Sequence, residues 1–526
     1  MGCIMSFKNI FAPELRALWR TGAEVALFDL REEGPFSLAH PFWAVSLPIA
    51  QIELRIRALV PRRSAPIVVY DDDEGLTQRG AERIAALGYT NVRILEGGLA
   101  AYREVGEVFR DVNVPSKAFG ELVEAIRHTP SAPAEEIKRL IETEPDLVVL
   151  DGRRFEEYRT MSIPRGRSVP NGELALRVHD IAPRPETTIV INCAGRTRSI
   201  IGTQTLVNLG LPNRVLALRN GTIGWTLAGQ ALERGKTERF PETTVEGHAR
   251  ARQAAQAYAD RAGVPVIDAA TLAAWRAEAA SRTLYLLDVR TPEEFTVGHP
   301  AGFISAPGGQ LVQATDEWIA VRGGRLVLFD DDGVRARSTA AWLRQLGWDV
   351  AVLAQDAIPA DDATPPGPVV IGPPVVPAIS VADVQAGREN YEIIDLGPSP
   401  LYRAGHIPGA WFLAGSQFGD LANIPGTAPL VITSADGHLA AAHAADIAAA
   451  TQRQVLWLQG GNKSFTEAGY TLVTAPGWAS APEDVYKRPY EGTDNQEAAM
   501  QAYIDWELQL VAQLANDGVS NFHVVR

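Results

Sequence analysis

The sequence predicts an α/β protein of four tandem units, each a parallel sheet flanked by helices. Three observations lead to this fold class. A short apolar run that ends in an acidic residue occurs four times, a second apolar run follows each of them, and a helical pattern then leads to a third run. Strand, helix and strand in this order are typical of a parallel sheet with helices on its faces.

The spacing between the first and second apolar runs is nearly constant. The residue that closes the first run and its counterpart after the second are separated by 42, 42, 42 and 39 positions. A spacing held four times indicates an internal repeat. The four pairs of residues are Asp29 and Asp71, Asp151 and Cys193, Asp288 and Asp330, and Asp395 and Ser434.

The remaining elements of each unit follow in a fixed order. The second run is continuous in Val, Ile and Leu, as expected of a buried strand. A helix comes next, clearest over 81–88 and 338–347, where glycine ends the pattern. Three units then have a glycine turn followed by an aromatic residue, whereas the third unit has 355–357 at this place. Between the helix and this turn, a third strand is predicted at 92–95, 215–218, 350–353 and 455–458.

A chain of 526 residues is too long for one hydrophobic core, which agrees with several domains. A segment rich in Pro, Gly and Asp, from Pro359 to Pro377, is the clearest linker. A helix is predicted over 495–516, and we expect it to pack on the last unit of its own chain rather than on a partner. The predicted domains are 1–125, 126–245 (with Cys193), 246–368 and 369–485, followed by a helical tail at 486–526.

Composition excludes several function classes. The net charge of -14 disfavours nucleic acid as a partner, and no apolar run is long enough to predict a transmembrane helix. Two cysteines, Cys3 and Cys193, cannot form a disulfide framework, so a reducing, cytoplasmic location is expected. Residues 1–6 superficially match a myristoylation signal, but lipidation is not expected, Met1 and Met5 both remain candidate starts, and no role is expected for Cys3.

Several short motifs occur at matching places in the repeat. They are Asp288-Val289-Arg290 with Glu294, Gly298-His299, Asp151-Gly152-Arg153 with Glu157, and the segment Gly-His-Ile-Pro-Gly-Ala at 405–410. With a cysteine-led loop between strand and helix and a late glycine turn, the chain resembles the rhodanese family up to about Ala475. In the second unit, Met-Ser-Ile-Pro-Arg-Gly at 161–166 departs from the family segment.

The resemblance implies a thiosulfate sulfurtransferase of the rhodanese type, with Cys193 as the catalytic residue. Sulfane-sulfur transfer needs a thiolate that holds the sulfur as a persulfide, and it needs no cofactor or metal. A loop that leads into a helix directs N–H groups at an anion. We expect Arg196 and, more strongly, Arg198 to lower the pKa of Cys193 and to attract an anionic donor. The predicted substrate-binding residues are Ala194, Gly195, Arg196, Thr197, Arg198 and Ser199.

The other three units have Asp71, Asp330 or Ser434 in place of the cysteine. The acidic runs at 71–74 and 330–332 suggest metal loops, but no complete EF-hand spacing follows, so we interpret them as degenerate catalytic loops. These units are expected to be scaffolds or partner-binding modules. Asp151 and Arg153 are expected to form an ion pair that braces their unit.

Two other functions remain open. Cysteine phosphatases of related fold have five residues between Cys and Arg, whereas four separate Cys193 from Arg198. A persulfide carrier that delivers sulfur to a partner protein is the second alternative. The loop lacks the Cys-Gly-Ser-Gly-Val pattern of mercaptopyruvate enzymes, which favours thiosulfate as the donor. The donor is expected to be a small molecule, and the acceptor a small molecule or a protein.

Overall fold

The computed structural model describes residues 6–357, 376–488, 491 and 494–525. Cys3 and nearly all of the predicted linker from Pro359 to Pro377 lie outside the described residues. The chain folds into four units, each with a parallel sheet of five or six strands flanked by helices, so the predicted fold class is confirmed. No helix in the described part of the chain is long and apolar enough to cross a membrane.

The first unit shows the arrangement that the others repeat. Val, Ile and Leu dominate its central strands, whose residues are buried because helices cover both faces of the sheet. In spatial order the strands are Lys8–Ile10, Val92–Leu95, Ile67–Tyr70, Ala26–Asp29 and Ala44–Ser46. The helices are Ala12–Thr21, Glu33–Leu38, Ile52–Leu59, Thr77–Ala86 and Gly98–Arg103. A small antiparallel pair joins His40–Pro41 to Val108–Phe109.

The second unit lies between two connecting helices, Val114–Arg127 before it and Val245–Arg261 after it. The strand that precedes Cys193 lies at the centre of the sheet. In spatial order the strands are Gly166–Ser168, Leu147–Asp151, Thr188–Asn192, Val215–Leu218 and Ser131–Ala132. The helices are Ala134–Thr143, Phe155–Thr160, Asn171–Ile181, Thr197–Asn208 and Gly221–Leu227.

The third and fourth units repeat this order with shorter outer elements. The third has strands Val266–Ile267, Asp349–Leu353, Arg325–Phe329, Leu284–Asp288 and Ile304–Ser305, and helices Ala269–Ala277, Pro292–Val297, Gly308–Gln313 and Arg335–Gln345. The fourth has strands Ala378–Ile379, Val455–Leu458, Leu430–Thr433, Glu392–Asp395, Ala410–Phe412 and Gly477–Trp478, and helices Val381–Ala386, Ser399–Ala404, His438–Ala450 and Gly461–Glu467.

The units associate in two pairs through equivalent positions. A Cβ added at Gly172 of the second unit would lie 2.7 Å from the backbone N of Gly309 in the third. The first and fourth units meet in the same way, because a Cβ added at Gly415 would lie 2.3 Å from the Cβ of Ala50. Glycine and alanine therefore allow a close backbone approach in both pairs. The second unit pairs with the third, and the first pairs with the fourth.

The C-terminal tail packs against its own chain, as expected, but against the first unit. Instead of the single helix predicted over 495–516, it forms two, Gln496–Glu507 and Leu510–Asp517. Its apolar side chains join the core around Trp19 of the first unit. Asp517 is bound to Arg16 at 2.6 Å, and both side chains are buried. The tail thereby returns the chain to the side of the second unit that carries Cys193.

Candidate active site

Cys193 lies at the carboxyl end of the central strand of the second unit, immediately before the helix Thr197–Asn208. In parallel α/β sheets this edge is where ligands bind. The side chain is 1% exposed, and its thiol donates a hydrogen bond to the carbonyl of Gly195 at 3.3 Å. The cysteine is thus held within a tight loop at a helix N-terminus, where the backbone N–H groups favour negative charge.

The late glycine turn, at Gly221, packs against the backbone of the Cys193 loop. Gly221 has a φ of +55°, and the N–H of Thr222 donates to the carbonyl of Cys193 at 2.8 Å. A Cβ added at Gly221 would lie 2.4 Å from that carbonyl oxygen and 2.7 Å from the carbonyl oxygen of Gly195. Both the backbone conformation and the space therefore require glycine at this position.

Arg198 is a half-buried and firmly oriented cation. Its guanidinium forms a two-point ion pair with Glu157, at 2.7 and 2.9 Å. Although burial works in the opposite direction, Arg198 holds the pKa of Glu157 at about 2. Sequence reasoning treated Glu157 only as part of a motif. The signal that would have assigned it a place beside Arg198 is the matching spacing of Glu294 and Arg335 in the third unit.

Arg196 forms ion pairs with the connecting helix Val114–Arg127. Its guanidinium donates to both carboxylate oxygens of Glu121, at 2.8 and 2.9 Å, and also contacts Glu124. A further bond of 2.9 Å reaches the side chain of Asn220. The two glutamates belong to the connecting helix Val114–Arg127, so Arg196 fastens the loop to that helix. Its predicted role in substrate binding is untested and stays a prediction.

Arg198 lowers the pKa of Cys193, as expected, but the net shift of that pKa is upward. Burial raises the pKa of the thiol above its ordinary value, and Arg198, Ser199 and Arg153 counteract burial only in part. The charge of Arg198 is also matched by Glu157, and that of Arg196 by Glu121 and Glu124. The sequence shows the two cations but not the carboxylates that neutralise them.

The ion pair expected between Asp151 and Arg153 is present. The Arg153 guanidinium binds both carboxylate oxygens, at 2.8 and 2.7 Å, and donates to the carbonyl of Met161 at 2.5 Å. Asp151 also accepts a bond of 2.9 Å from Asn192, the residue just before Cys193. The pair therefore links the strands Leu147–Asp151 and Thr188–Asn192, the second of which directly precedes Cys193, to the segment at Met161.

In the loops without cysteine, an aspartate side chain accepts hydrogen bonds from the backbone of its own loop. The Asp330 carboxylate accepts backbone N–H bonds from Gly333, Val334 and Ala336, at 3.1, 2.9 and 2.9 Å. In the first unit Asp71 accepts an equivalent bond from the N–H of Leu76 at 2.6 Å. Within the described ranges, no cluster of three or more His, Cys, Asp or Glu side chains is arranged to hold a metal ion. The carboxylates of Asp330 and Asp71 thus stabilise the conformation of their own loops.

Cys193 opens onto a cavity of about 330 Å³ that several parts of the chain line together. Arg198 and Arg154 belong to the second unit, whereas other charged side chains come from elsewhere in the sequence. They include Arg55 of the first unit, Lys117 of the connecting helix, Asp316 of the third unit and Glu507 of the tail. Sequence reasoning within one unit missed the last four, because only the packing of the units brings them to the thiol.

Comparison with known proteins agrees with this geometry. The profile of the Rhodanese-like domain family matches four stretches of the chain, at 12–104, 133–228, 268–356 and 380–468. The chain belongs to the rhodanese family. Its four rhodanese-like domains correspond to the four units, and the family resemblance predicted from the motifs is confirmed. The exact domain boundaries predicted from the sequence stay a prediction.

Solved structures include one rhodanese relative that resembles the whole chain. The crystal structure of thiosulfate sulfurtransferase from Pseudomonas aeruginosa is 49% identical, has a TM-score of 0.95, and is covered over 100% of its length by 99% of this chain. A protein from Anabaena sp. is 24% identical over 20% of this chain and 86% of its own, with a TM-score of 0.19. No curated protein sequence matches the chain. The predicted enzyme class, a rhodanese-type sulfurtransferase, agrees with the first match.

Proposed function

We propose that this rhodanese-family chain is a sulfurtransferase that moves sulfane sulfur from an anionic donor, thiosulfate above all, to a thiophilic acceptor. The observation that carries the proposal is the placement of Cys193, which directly follows the central strand and lies at a helix N-terminus beside Arg198. The 49% identity to a thiosulfate sulfurtransferase over almost the whole chain supports it.

The proposed reaction has two displacement steps. The thiolate of Cys193 attacks the outer sulfur of thiosulfate, a new S–S bond forms, and the bond to the sulfonate sulfur breaks. Sulfite leaves with the electron pair, and the persulfide remains on the cysteine. The acceptor then attacks the terminal sulfur, and Cys193 is released as a thiolate.

The loop would stabilise the negative charge of the persulfide. The third unit supports this role, because its equivalent loop binds the Asp330 carboxylate through three backbone N–H groups. The same kind of loop around Cys193 would present its N–H groups to a persulfide or to a sulfonate oxygen. Arg198 would add a fixed positive charge in a largely buried site, where charges interact strongly.

The proposal is tested by exposing the protein to thiosulfate and measuring its mass. We expect one added sulfur on the wild-type chain and none on Cys193→Ser, because a hydroxyl does not form a persulfide. Cys3→Ser is the matched control and should behave as wild type. Absence of the added sulfur from wild-type protein would refute the proposal, and hydrolysis of an aryl phosphate would favour the phosphatase alternative.

The acceptor and the location form a finer part of the proposal. A small thiophilic acceptor is proposed first and a protein acceptor second. Turnover with a small acceptor such as cyanide distinguishes them from transfer to a protein alone. A cytoplasmic location is proposed because the two cysteines cannot form a disulfide framework.

A further inference from the structure

The C-terminal tail places a carboxyl group against the Cys193 loop. Glu507, the last residue of the helix Gln496–Glu507, is 2% exposed and lines the same cavity as the thiol. A Cβ added at Gly195 would lie 3.2 Å from its Oε2 atom. Oε1 lies 3.4 Å from the hydroxyl of Tyr503, whereas Oε2 has no hydrogen-bond partner among the residues that the structure describes.

The charged groups that face Glu507 are already matched with one another. Lys117 is bound to Asp111 at 2.8 Å, and Arg196 is bound to Glu121. A carboxylate at Glu507 would therefore be a buried charge without a cation of its own, which is costly. Burial, together with Glu121 and Asp111, raises the pKa of Glu507 to about 8, against the influence of Lys117 and Arg196. Glu507 is thus a neutral acid at pH 7.

We propose that Glu507 is a catalytic acid and base that the tail contributes to the sulfur-transfer site. This inference rests on the proposed sulfurtransferase function. Its basis is a buried carboxyl group with an unpartnered oxygen that is directed at the loop of the nucleophile and shares its cavity. General acid and base groups are most effective when their pKa lies near the working pH.

The proton moves once in each half of the reaction. When sulfite leaves with the electron pair of the broken S–S bond, the Glu507 carboxyl transfers its proton to a sulfite oxygen. Hydrogen sulfite is released, and Glu507 becomes a carboxylate. When a thiol acceptor attacks the persulfide, this carboxylate takes the thiol proton. The acceptor leaves as a persulfide, Cys193 returns as a thiolate, and Glu507 is again a neutral acid.

The neutral carboxyl also explains how the site admits an anion. A carboxylate at this position would repel a dianionic donor, whereas the protonated group can donate a hydrogen bond to it. The rate of persulfide formation should therefore fall as the pH rises through about 8, where Glu507 loses its proton. The titration of Cys193 itself must be separated from this effect; the charged groups that face Glu507 are Lys117, Asp111, Glu121 and Arg196.

The test compares Glu507→Gln with Glu497→Gln, an exposed glutamate on the same helix. Single-turnover persulfide formation from thiosulfate and transfer to a small thiol are measured from pH 6 to 9.5. We expect Glu507→Gln to lose about 10²-fold in transfer to the thiol and to lack the fall near pH 8. Glu507→Asp should restore a pH-dependent decline, and Glu497→Gln should follow the wild type.

A folding measurement separates catalysis from structure. The folded-state pKa of Glu507 lies above its unfolded value, so its contribution to stability is present at low pH and is lost as the pH rises towards 8. Relative to wild type, Glu507→Gln should therefore gain stability between pH 5 and pH 8. A folded Glu507→Gln, or Glu507→Ala if the first does not fold, with an unchanged rate and pH profile would overturn the inference. Persulfide on wild type and its absence from Cys193→Ser would leave the proposed function standing.

Discussion

Arg198 in the second unit and Arg335 in the third hold equivalent places, and each forms a two-point ion pair with a glutamate 41 positions earlier. Their surroundings differ in charge. Arg335 is also bound to Asp332 at 2.5 Å and to Glu173 of the second unit at 2.9 Å. The third unit thus keeps the cation of the active loop but surrounds it with carboxylates, which leaves it little capacity to attract an anionic substrate.

Arg198→Ala should weaken the use of thiosulfate and raise the pKa of Cys193. The guanidinium is the first influence that opposes burial of the thiolate, and its loss also leaves Glu157 with the longer, 3.4 Å ion pair to the exposed Arg154. We expect the KM for thiosulfate to rise about tenfold or more, as for loss of a charge-assisted hydrogen bond. The pH dependence of alkylation reports the thiol pKa.

Two further variants sharpen this test. The double variant Arg198→Ala with Glu157→Ala also removes the Glu157 carboxylate. Its thiol pKa should therefore lie between that of Arg198→Ala and that of wild type. Arg159→Ala, an exposed arginine nearby, is the control. An unchanged pKa and an unchanged KM in Arg198→Ala would show that the cation only supports the fold.

Asp330→Cys should not restore an efficient enzyme in a Cys193→Ser background. The new thiol would replace a carboxylate that accepts three backbone N–H bonds, and it would lie beside the carboxylate of Asp332. The neighbouring negative charge disfavours a thiolate and repels thiosulfate. We expect persulfide formation at pH 7 to be about 10²-fold slower than in wild type, measured by mass spectrometry. A rate near wild type would contradict this account of the acidic loops.

Gly221→Ala should damage the active loop more than it damages the fold. The added Cβ would strike the carbonyl oxygens of Cys193 and Gly195 at 2.4 and 2.7 Å. A loop displaced by about 1 Å can lose about 10²-fold in rate. Gly229→Ala is the matched control, because its φ of +69° carries the same backbone penalty of about 1–2 kcal/mol while nothing lies within 4 Å of the new Cβ. Equal rates in the two variants would exclude a role for the glycine turn in shaping the loop.

Asp517→Asn should loosen the tail and slow sulfur transfer. Breaking the buried ion pair leaves Arg16 without its carboxylate, which costs about 3–5 kcal/mol. Amides of the two tail helices should then exchange with solvent faster, and Glu507 should be held less firmly at the cavity. Asp505→Asn, at an exposed position of the tail, is the control. Unchanged exchange and unchanged activity would show that apolar packing alone holds the tail.

The sequence by itself determined the repeat, the fold of each unit and the position of the nucleophile. These features follow from local order along the chain: apolar runs at constant spacing, a glycine turn and a single cysteine at the loop position of one unit. Cys193 and Arg198 lie at the two ends of one short loop, so their proximity could be read directly from the sequence.

Only the tertiary structure decided how the site is charged and what surrounds it. Glu121 neutralises Arg196 from a connecting helix, and Glu507 reaches the Cys193 loop from more than three hundred positions further along the chain. Neither contact leaves a periodic signal, because each depends on how whole units pack. The direction of the Cys193 pKa depended on the same packing, since burial and the pairing of nearby cations are properties of the folded chain.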